Sequence, residues 1–246
     1  IQCFLIFLFV YLQDLKIDDL RIDILNNLLS NNFFNIFFTV FCLAILINGS
    51  NFIDGLNGLL SGYIIIVLLS ILFISYTYPT IVLIEKNFLN ILLISLIIFF
   101  IFNIYGHTFL GDSGSYIISL FLGFYLIKLY YLNEILSPYY IAALLWYPIF
   151  ENLFSFIRRL TTKSKISKAD NFHLHHLFYK FEKKKNSKNE KNTNSFCSFI
   201  ILLINIPGFL TANLFPTKTI VLILVITINI VLYLLAYNFF SKQLKN

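Results

Sequence analysis

Apolar runs long enough to cross a bilayer recur along nearly the whole chain, and they are continuous rather than alternating. Inside hydrocarbon every backbone N–H and C=O must be satisfied internally, which leaves helical spans of roughly 17–25 residues or closed barrels. Unbroken apolarity selects the helix. Runs bounded by polar or Gly/Pro clusters predict helices near 1–12, 33–48, 62–78, 88–105, 115–132, 138–157, 196–214 and 218–240. The expected fold is all-α: a polytopic transmembrane helical bundle of seven complete spans plus a truncated one, in a single integral membrane domain over residues 1–246. Composition agrees, with 59% hydrophobic and 12% charged residues where a soluble domain carries about a quarter charged. The chain opens on Ile1 inside an apolar run and contains no methionine, and it is read as lacking further N-terminal helices.

Placement of positive charge orients the bundle. Of 18 Lys and Arg, 11 lie between Arg158 and Lys191, and Lys242 and Lys245 follow the last run. By the positive-inside rule both segments are cytoplasmic. Counting spans back puts 49–61, 106–114 and the basic loop 158–195 on that face, with 13–32, 79–87, 133–137 and 215–217 outside. The net charge of +6 is thereby read as topogenic, with no nucleic-acid partner. The stretch 182–194, EKKKNSKNEKNTN, has no apolar residue and is expected to be a mobile loop. Cys3, Cys42 and Cys197 lack metal-like spacing and read as packing residues. Lys128 is placed to snorkel to the outer interface.

Three polar clusters stand at the cytoplasmic mouths of spans. In NGSNFIDGLNGL, residues 48–59, Asn51, Asp54 and Asn57 are three apart and share one face if the stretch is helical. The neighbouring glycines permit close approach of a ligand or helix; a polar cap with small-residue packing is the plainer account. In FLGDSGS, residues 109–115, Asp112 is the hard oxygen ligand that Mg²⁺ prefers, and the flanking amides suit phosphate. The same string also makes a good cap for a helix starting near Ser115. In DNFHLHH, residues 170–176, the three imidazoles suit an anion as donors or a zinc ion as ligands. Glu151 lies two helical turns before Arg158, so it is expected to pair with Arg158 or Arg159 at a helix end, with a functional role as the alternative.

At these clusters the chain resembles the polyprenyl-phosphate N-acetylhexosamine-1-phosphate transferase superfamily, which includes the phospho-N-acetylmuramoyl-pentapeptide translocase. The strings are NGSNFIDGLNGLLSG, FLGDSGS and YPIFENLFSFIRR followed by DNFHLHH. The resemblance implies Mg²⁺-dependent transfer of a sugar-1-phosphate from a UDP-sugar to undecaprenyl phosphate, releasing UMP, in a multi-pass protein of the bacterial inner membrane with a cytoplasmic site. It implies Asp112 as magnesium ligand, Asp54 orienting the acceptor or nucleotide, and Asn51 and Asn57 lining the nucleotide pocket. It further implies Phe109 stacked on uracil and His173, His175 and His176 on the diphosphate, with Arg158 and Arg159 among the substrate-binding residues. A homodimer is kept as an oligomeric alternative. Within the superfamily, YPIFENLF with DNFHLHH looks closest to the branch that starts O-antigen or related lipopolysaccharide.

Two departures weaken parts of that reading. Asn57 stands where many relatives carry Asp, and Asn103-Ile104-Tyr105-Gly106-His107 lacks the usual Pro, Ala or Lys. The family's paired aspartates are expected on an earlier cytoplasmic loop; Asp18 and Asp19 fall on the opposite face and are read as solvated. The competing classes are a polyprenyl-lipid transporter or flippase, which would place ionisable residues near the midplane, and an inactive membrane scaffold.

Overall fold

A computed structural model describes residues 1–161, 172–185 and 190–244. In chain order the helices are α1 (Gln2–Leu12), α2 (Asp23–Leu29), α3 (Asn32–Ile53), α4 (Leu59–Thr77), α5 (Lys86–Ile104), α6 (Gly111–Leu132), α7 (Pro138–Leu144), α8 (Trp146–Thr161), α9 (Leu174–Lys185), α10 (Glu190–Leu214) and α11 (Thr219–Gln243), and no strand occurs among the described residues. Six of them, α3 to α6, α10 and α11, are long and apolar enough to cross a membrane, and α7 with α8 supplies a seventh if that bent pair is one span. The chain is a polytopic all-α membrane bundle.

The span expected over 138–157 is not one straight helix: α7 and α8 meet at an angle of 76°. Pro148 explains the break. It has no N–H, so the carbonyl four residues earlier, that of Leu144, loses its helical donor. The Tyr63 hydroxyl of α4 donates to that carbonyl at 2.8 Å and accepts from the Tyr147 N–H at 3.4 Å. In hydrocarbon an unsatisfied carbonyl is costly, so a hydroxyl from a neighbouring helix is what makes the bend tolerable. The bend lays α8 against α3. A Cβ on Gly49 would stand 2.0 Å from the Pro148 carbonyl oxygen, so only glycine permits this approach. Nearby, the Asn152 side-chain amide donates to the Ile45 carbonyl at 2.9 Å.

The two ends of the bundle are tied differently. At one end Arg21 donates to the carbonyls of Thr217 and Leu136 and to the Thr219 hydroxyl, while Asn133 bonds both the N–H and the C=O of Val82. This end collects the loops expected outside. At the other end gather residues 54–58, 105–110 and 172–176 with the start of α10. The loops thus sort into the two groups expected from the spans.

Two of the connecting segments carry helices, and one local expectation fails. Residues 23–29 within the outer segment form α2. The basic loop contains α9, which runs through Lys185, and α10 begins at Glu190, so the described parts of the 182–194 stretch expected as a mobile loop, 182–185 and 190–194, are helical, and 186–189 lie outside the described residues. The helix forms because one face of α9 is apolar: His175 and Leu177 are buried, and Phe181 packs on the rings of Phe239 and Phe240 in α11. A composition count over 182–194 misses that anchor because it lies N-terminal to the window.

Candidate active site

The site begins where α3 stops. Helix α3 ends at Ile53 with Asp54 as its C-cap, and the chain turns through Gly58 at φ 80°, a left-handed conformation that glycine adopts without strain. Asn51, Asp54 and Asn57 therefore do not share one helical face, contrary to the expectation from their spacing. Asn51, in the last turn, donates from its side-chain amide to Asp112 at 3.0 Å and to Ser115 at 3.1 Å. Asn57 reaches α10 only through its backbone, whose N–H donates to the Asn194 side chain at 2.7 Å, while its side-chain amide lies toward Gly106, 3.3 Å from where a Cβ there would stand.

Asp112 lies in the first turn of α6, after Gly111 at φ 65°. The helix starts earlier than the sequence reading placed it, and Leu110 rather than a polar side chain occupies the cap position. The Asp112 carboxylate is exposed and so is not consumed by capping. Asp54 is half-buried beside it. Desolvation, and then repulsion from the Asp112 carboxylate, push the Asp54 carboxyl up to about 7. A cation near these two carboxylates would offset that repulsion.

The histidines close the mouth from α9. His173 and His175 are buried and His176 half-buried. A Cβ on Gly55 would lie 2.6 Å from the His176 ring and 3.2 Å from that of His175, so the Asp-Gly-Leu-Asn-Gly turn passes directly beneath both imidazoles. Phe52 meets His173 with ring centroids 4.7 Å apart. The three clusters, separated by about 60 residues each in sequence, are thereby one site.

Arg158 and Arg159 end α8 at the same mouth. Arg158 donates to the Ser155 hydroxyl at 3.2 Å and lies 5.6 Å over the Phe172 ring. Phe109 is 71% exposed, a free aromatic face at the entrance. Glu151 does not pair with either arginine as expected: its Oε1 accepts from His173 Nδ1 at 2.9 Å, from the Leu174 N–H at 3.3 Å and from the Tyr233 hydroxyl at 2.9 Å. The bend at Leu145 and the packing of α9 against the bundle bring His173 closer than sequence spacing suggested. Asp170 and Asn171 lie outside the described residues.

Two organising residues escaped the sequence reading. Asn103, buried near the end of α5, accepts from the Gly58 N–H at 2.7 Å and donates to the Thr108 carbonyl at 2.6 Å, tying the turn that carries Asp54 to the loop that leads to Asp112. A lone amide within an apolar run needs partners, and that was its available signal. Tyr233 is one of 15 tyrosines and carried no signal.

Asp18 and Asp19 belong to the opposite end. The Tyr130 hydroxyl donates to the Asp19 carbonyl at 2.9 Å, and Tyr130 is 18 positions beyond Asp112 on α6, about 27 Å along a helix. They add nothing to the carboxylates at the mouth. No group of three or more His, Cys, Asp or Glu arranged for a metal ion occurs among the described residues. The pair Asp54 and Asp112 still suits Mg²⁺, which keeps several waters and is commonly held by one or two carboxylates together with substrate phosphates.

Comparison with known proteins bears on this arrangement. The family described as Glycosyl transferase family 4 matches residues 1–130, which include the first two clusters; the histidines lie beyond that match. A probable undecaprenyl-phosphate N-acetylglucosaminyl 1-phosphate transferase of Bacillus subtilis is 31% identical over 143 residues, covering 56% of this chain and 38% of the relative. An undecaprenyl-phosphate alpha-N-acetylglucosaminyl 1-phosphate transferase of Thermotoga maritima is 32% identical over 141 residues, covering 57% of this chain and 41% of the relative. The similarity thus spans about two fifths of the length of these relatives. No solved structure matches the chain significantly. Matched over more than half of its length, the chain belongs to glycosyl transferase family 4.

Proposed function

We propose that this protein transfers N-acetylhexosamine-1-phosphate from a UDP-sugar to undecaprenyl phosphate at the cytoplasmic face of the bacterial inner membrane, releasing UMP and starting a cell-envelope polysaccharide. The observation that carries this reading is the convergence of Asn51, Asp54 and Asp112 with His173, His175 and His176 at one end of the bundle. The names of the relatives supply the acceptor lipid and the sugar class.

In the reaction an oxygen of the lipid phosphate attacks the phosphorus that bears the sugar, and the bond to the bridging oxygen of the diphosphate breaks, so UMP leaves with that oxygen. Both partners are anionic, so catalysis requires positioning and charge compensation more than covalent help. Asp112 and Asp54 would hold Mg²⁺, which when bound supplies positive charge to the phosphates. Asn51 fixes the Asp112 carboxylate from the side. The imidazoles, standing over Gly55, offer donors to the diphosphate across the mouth. Phe109 presents a ring for the uracil, and Arg158 and Arg159 add positive charge at the rim. A site at the bundle end suits a water-soluble nucleotide that cannot enter hydrocarbon, with a lipid arriving sideways between helices.

The test is the full-length gene product in detergent, given UDP-N-acetylglucosamine and undecaprenyl phosphate. UMP and a lipid-linked sugar diphosphate should form together, stop with EDTA and resume with added Mg²⁺. Lipid movement across vesicles without UMP would replace this reading with a flippase.

A further inference from the structure

Glu151 is a carboxylate buried to 1% exposure, and its Oε1 collects three donors from three parts of the fold: the His173 ring, the backbone at the start of α9, and the hydroxyl of Tyr233 in the middle of α11. An acceptor-only group suits this convergence, so the proton in the contact with His173 belongs to Nδ1. A ligand that reaches this ring would then meet it at Nε2. A phosphate oxygen offers lone pairs, so a favourable contact there needs a second proton on the ring, and the carboxylate of Glu151 compensates the resulting positive charge. Tyr233 in turn keeps Glu151 in place: its ring packs edge-on against Phe150 and Phe154 at centroid distances of 5.0 and 5.5 Å.

We propose that Glu151 and Tyr233 are positioning residues for His173, holding Nδ1–H so that Nε2 is turned to the diphosphate and the charge of the imidazolium is balanced when substrate binds. This rests on the transferase reading for its chemistry, whereas the state of the ring is observable without it. It also gives the last helix, far along the chain from the aspartates, a role in the mouth.

Two measurements separate the claims. In protein labelled with ¹⁵N-histidine, the His173 resonances, assigned by their loss in His173→Ala, should report the proton on Nδ1. In Glu151→Leu they should move toward the tautomer protonated on Nε2 that free imidazole side chains prefer. A parent ring already protonated on Nε2 alone would overturn the proposal whatever the protein catalyses. In the transfer assay, Glu151→Gln keeps an oxygen acceptor but removes the charge, and should lower kcat about 10- to 100-fold, as supporting groups behind a functional histidine do, with little change in KM. Tyr233→Phe keeps the ring and should cost about 10-fold or somewhat more in kcat, the scale of one lost hydrogen bond to a charged acceptor. In the His173→Ala background neither substitution should cost anything further, because both act through that ring. Equal losses in both backgrounds would show a purely structural role and sink the proposal. A parent with the Nδ1 signature but no transfer would sink the transferase reading and leave the positioning of His173 standing.

Discussion

The Asn51 side-chain amide donates to the Asp112 carboxylate across 3.0 Å, joining the last turn of α3 to the first turn of α6 at the mouth of the bundle. The contact leaves Asp112 exposed while fixing one of its oxygens, as the proposed role of holding Mg²⁺ would require.

Asp112→Asn should therefore abolish transfer while leaving the fold intact. The amide oxygen can still accept from Asn51, so the substitution removes charge and little else. We expect a loss of at least about 10²-fold in turnover, the scale of one lost charge-stabilising group, measured as UMP release beside an unchanged melting temperature. Near-parental activity would remove Asp112 from the metal site.

Asp54 makes stability depend on pH. Its carboxyl is raised from 3.8 to about 7 by burial and by the neighbouring Asp112, so the folded protein retains a proton that the unfolded chain gives up. The associated stability is full below 3.8 and is lost as pH rises through about 7. Melting temperatures of metal-free protein in detergent should fall across this window. Added Mg²⁺ should reduce the fall, and Asp54→Asn should flatten it; an equally steep slope in that variant would contradict the assignment.

Gly49 and Gly55 are both contact glycines, yet alanine should affect them differently. At Gly49 the new methyl meets the Pro148 backbone, which cannot move without shifting α8 against α3. We expect destabilisation at the upper end of the roughly 1–3 kcal/mol typical of overpacking, or more, read as a lower melting temperature. At Gly55 the methyl meets imidazole ends, which can rotate. Gly55→Ala should fold normally and lose turnover because the histidines are displaced.

Asn103→Leu should damage both stability and activity. Removing the amide leaves the Gly58 N–H and the Thr108 carbonyl without their partner, at about 1–3 kcal/mol for each buried group. Because those groups lie on the two loops that carry Asp54 and Asp112, kcat should fall further than the population of folded protein explains. A variant with lower stability but parental kcat per folded molecule would reduce Asn103 to a packing role.

Tyr63→Phe tests the bend. Without the hydroxyl the Leu144 carbonyl has neither its helical donor nor Tyr63, and about 1–3 kcal/mol should be lost. Thermal melts of parent and variant in the same detergent give the number. No change would mean that the break between α7 and α8 does not depend on Tyr63.

Much of this protein was legible from its residues in order. The bilayer leaves so few ways to satisfy a backbone that continuous apolar runs determined the all-α bundle, the approximate spans and the sorting of loops into two ends. The strings around Asp54, Asp112 and His173 marked the site because polar and small residues are conspicuous against an apolar background. The tertiary structure decided how those strings meet. Helix α3 stops at Ile53, so the Asn51 side chain turns to α6 and that of Asn57 toward Gly106, a divergence that three-residue spacing does not reveal. The fate of Glu151 depended on the bend at Leu145 and on the docking of α9 and α11, which set His173 and Tyr233 against its carboxylate. Sequence spacing offered it Arg158, a neighbour on its own helix; three-dimensional packing supplied partners 22 and 82 residues away. The reason is physical: local periodicity fixes which face a side chain occupies, whereas the partner of a buried charge is fixed by whichever donors the packed helices bring within hydrogen-bonding reach.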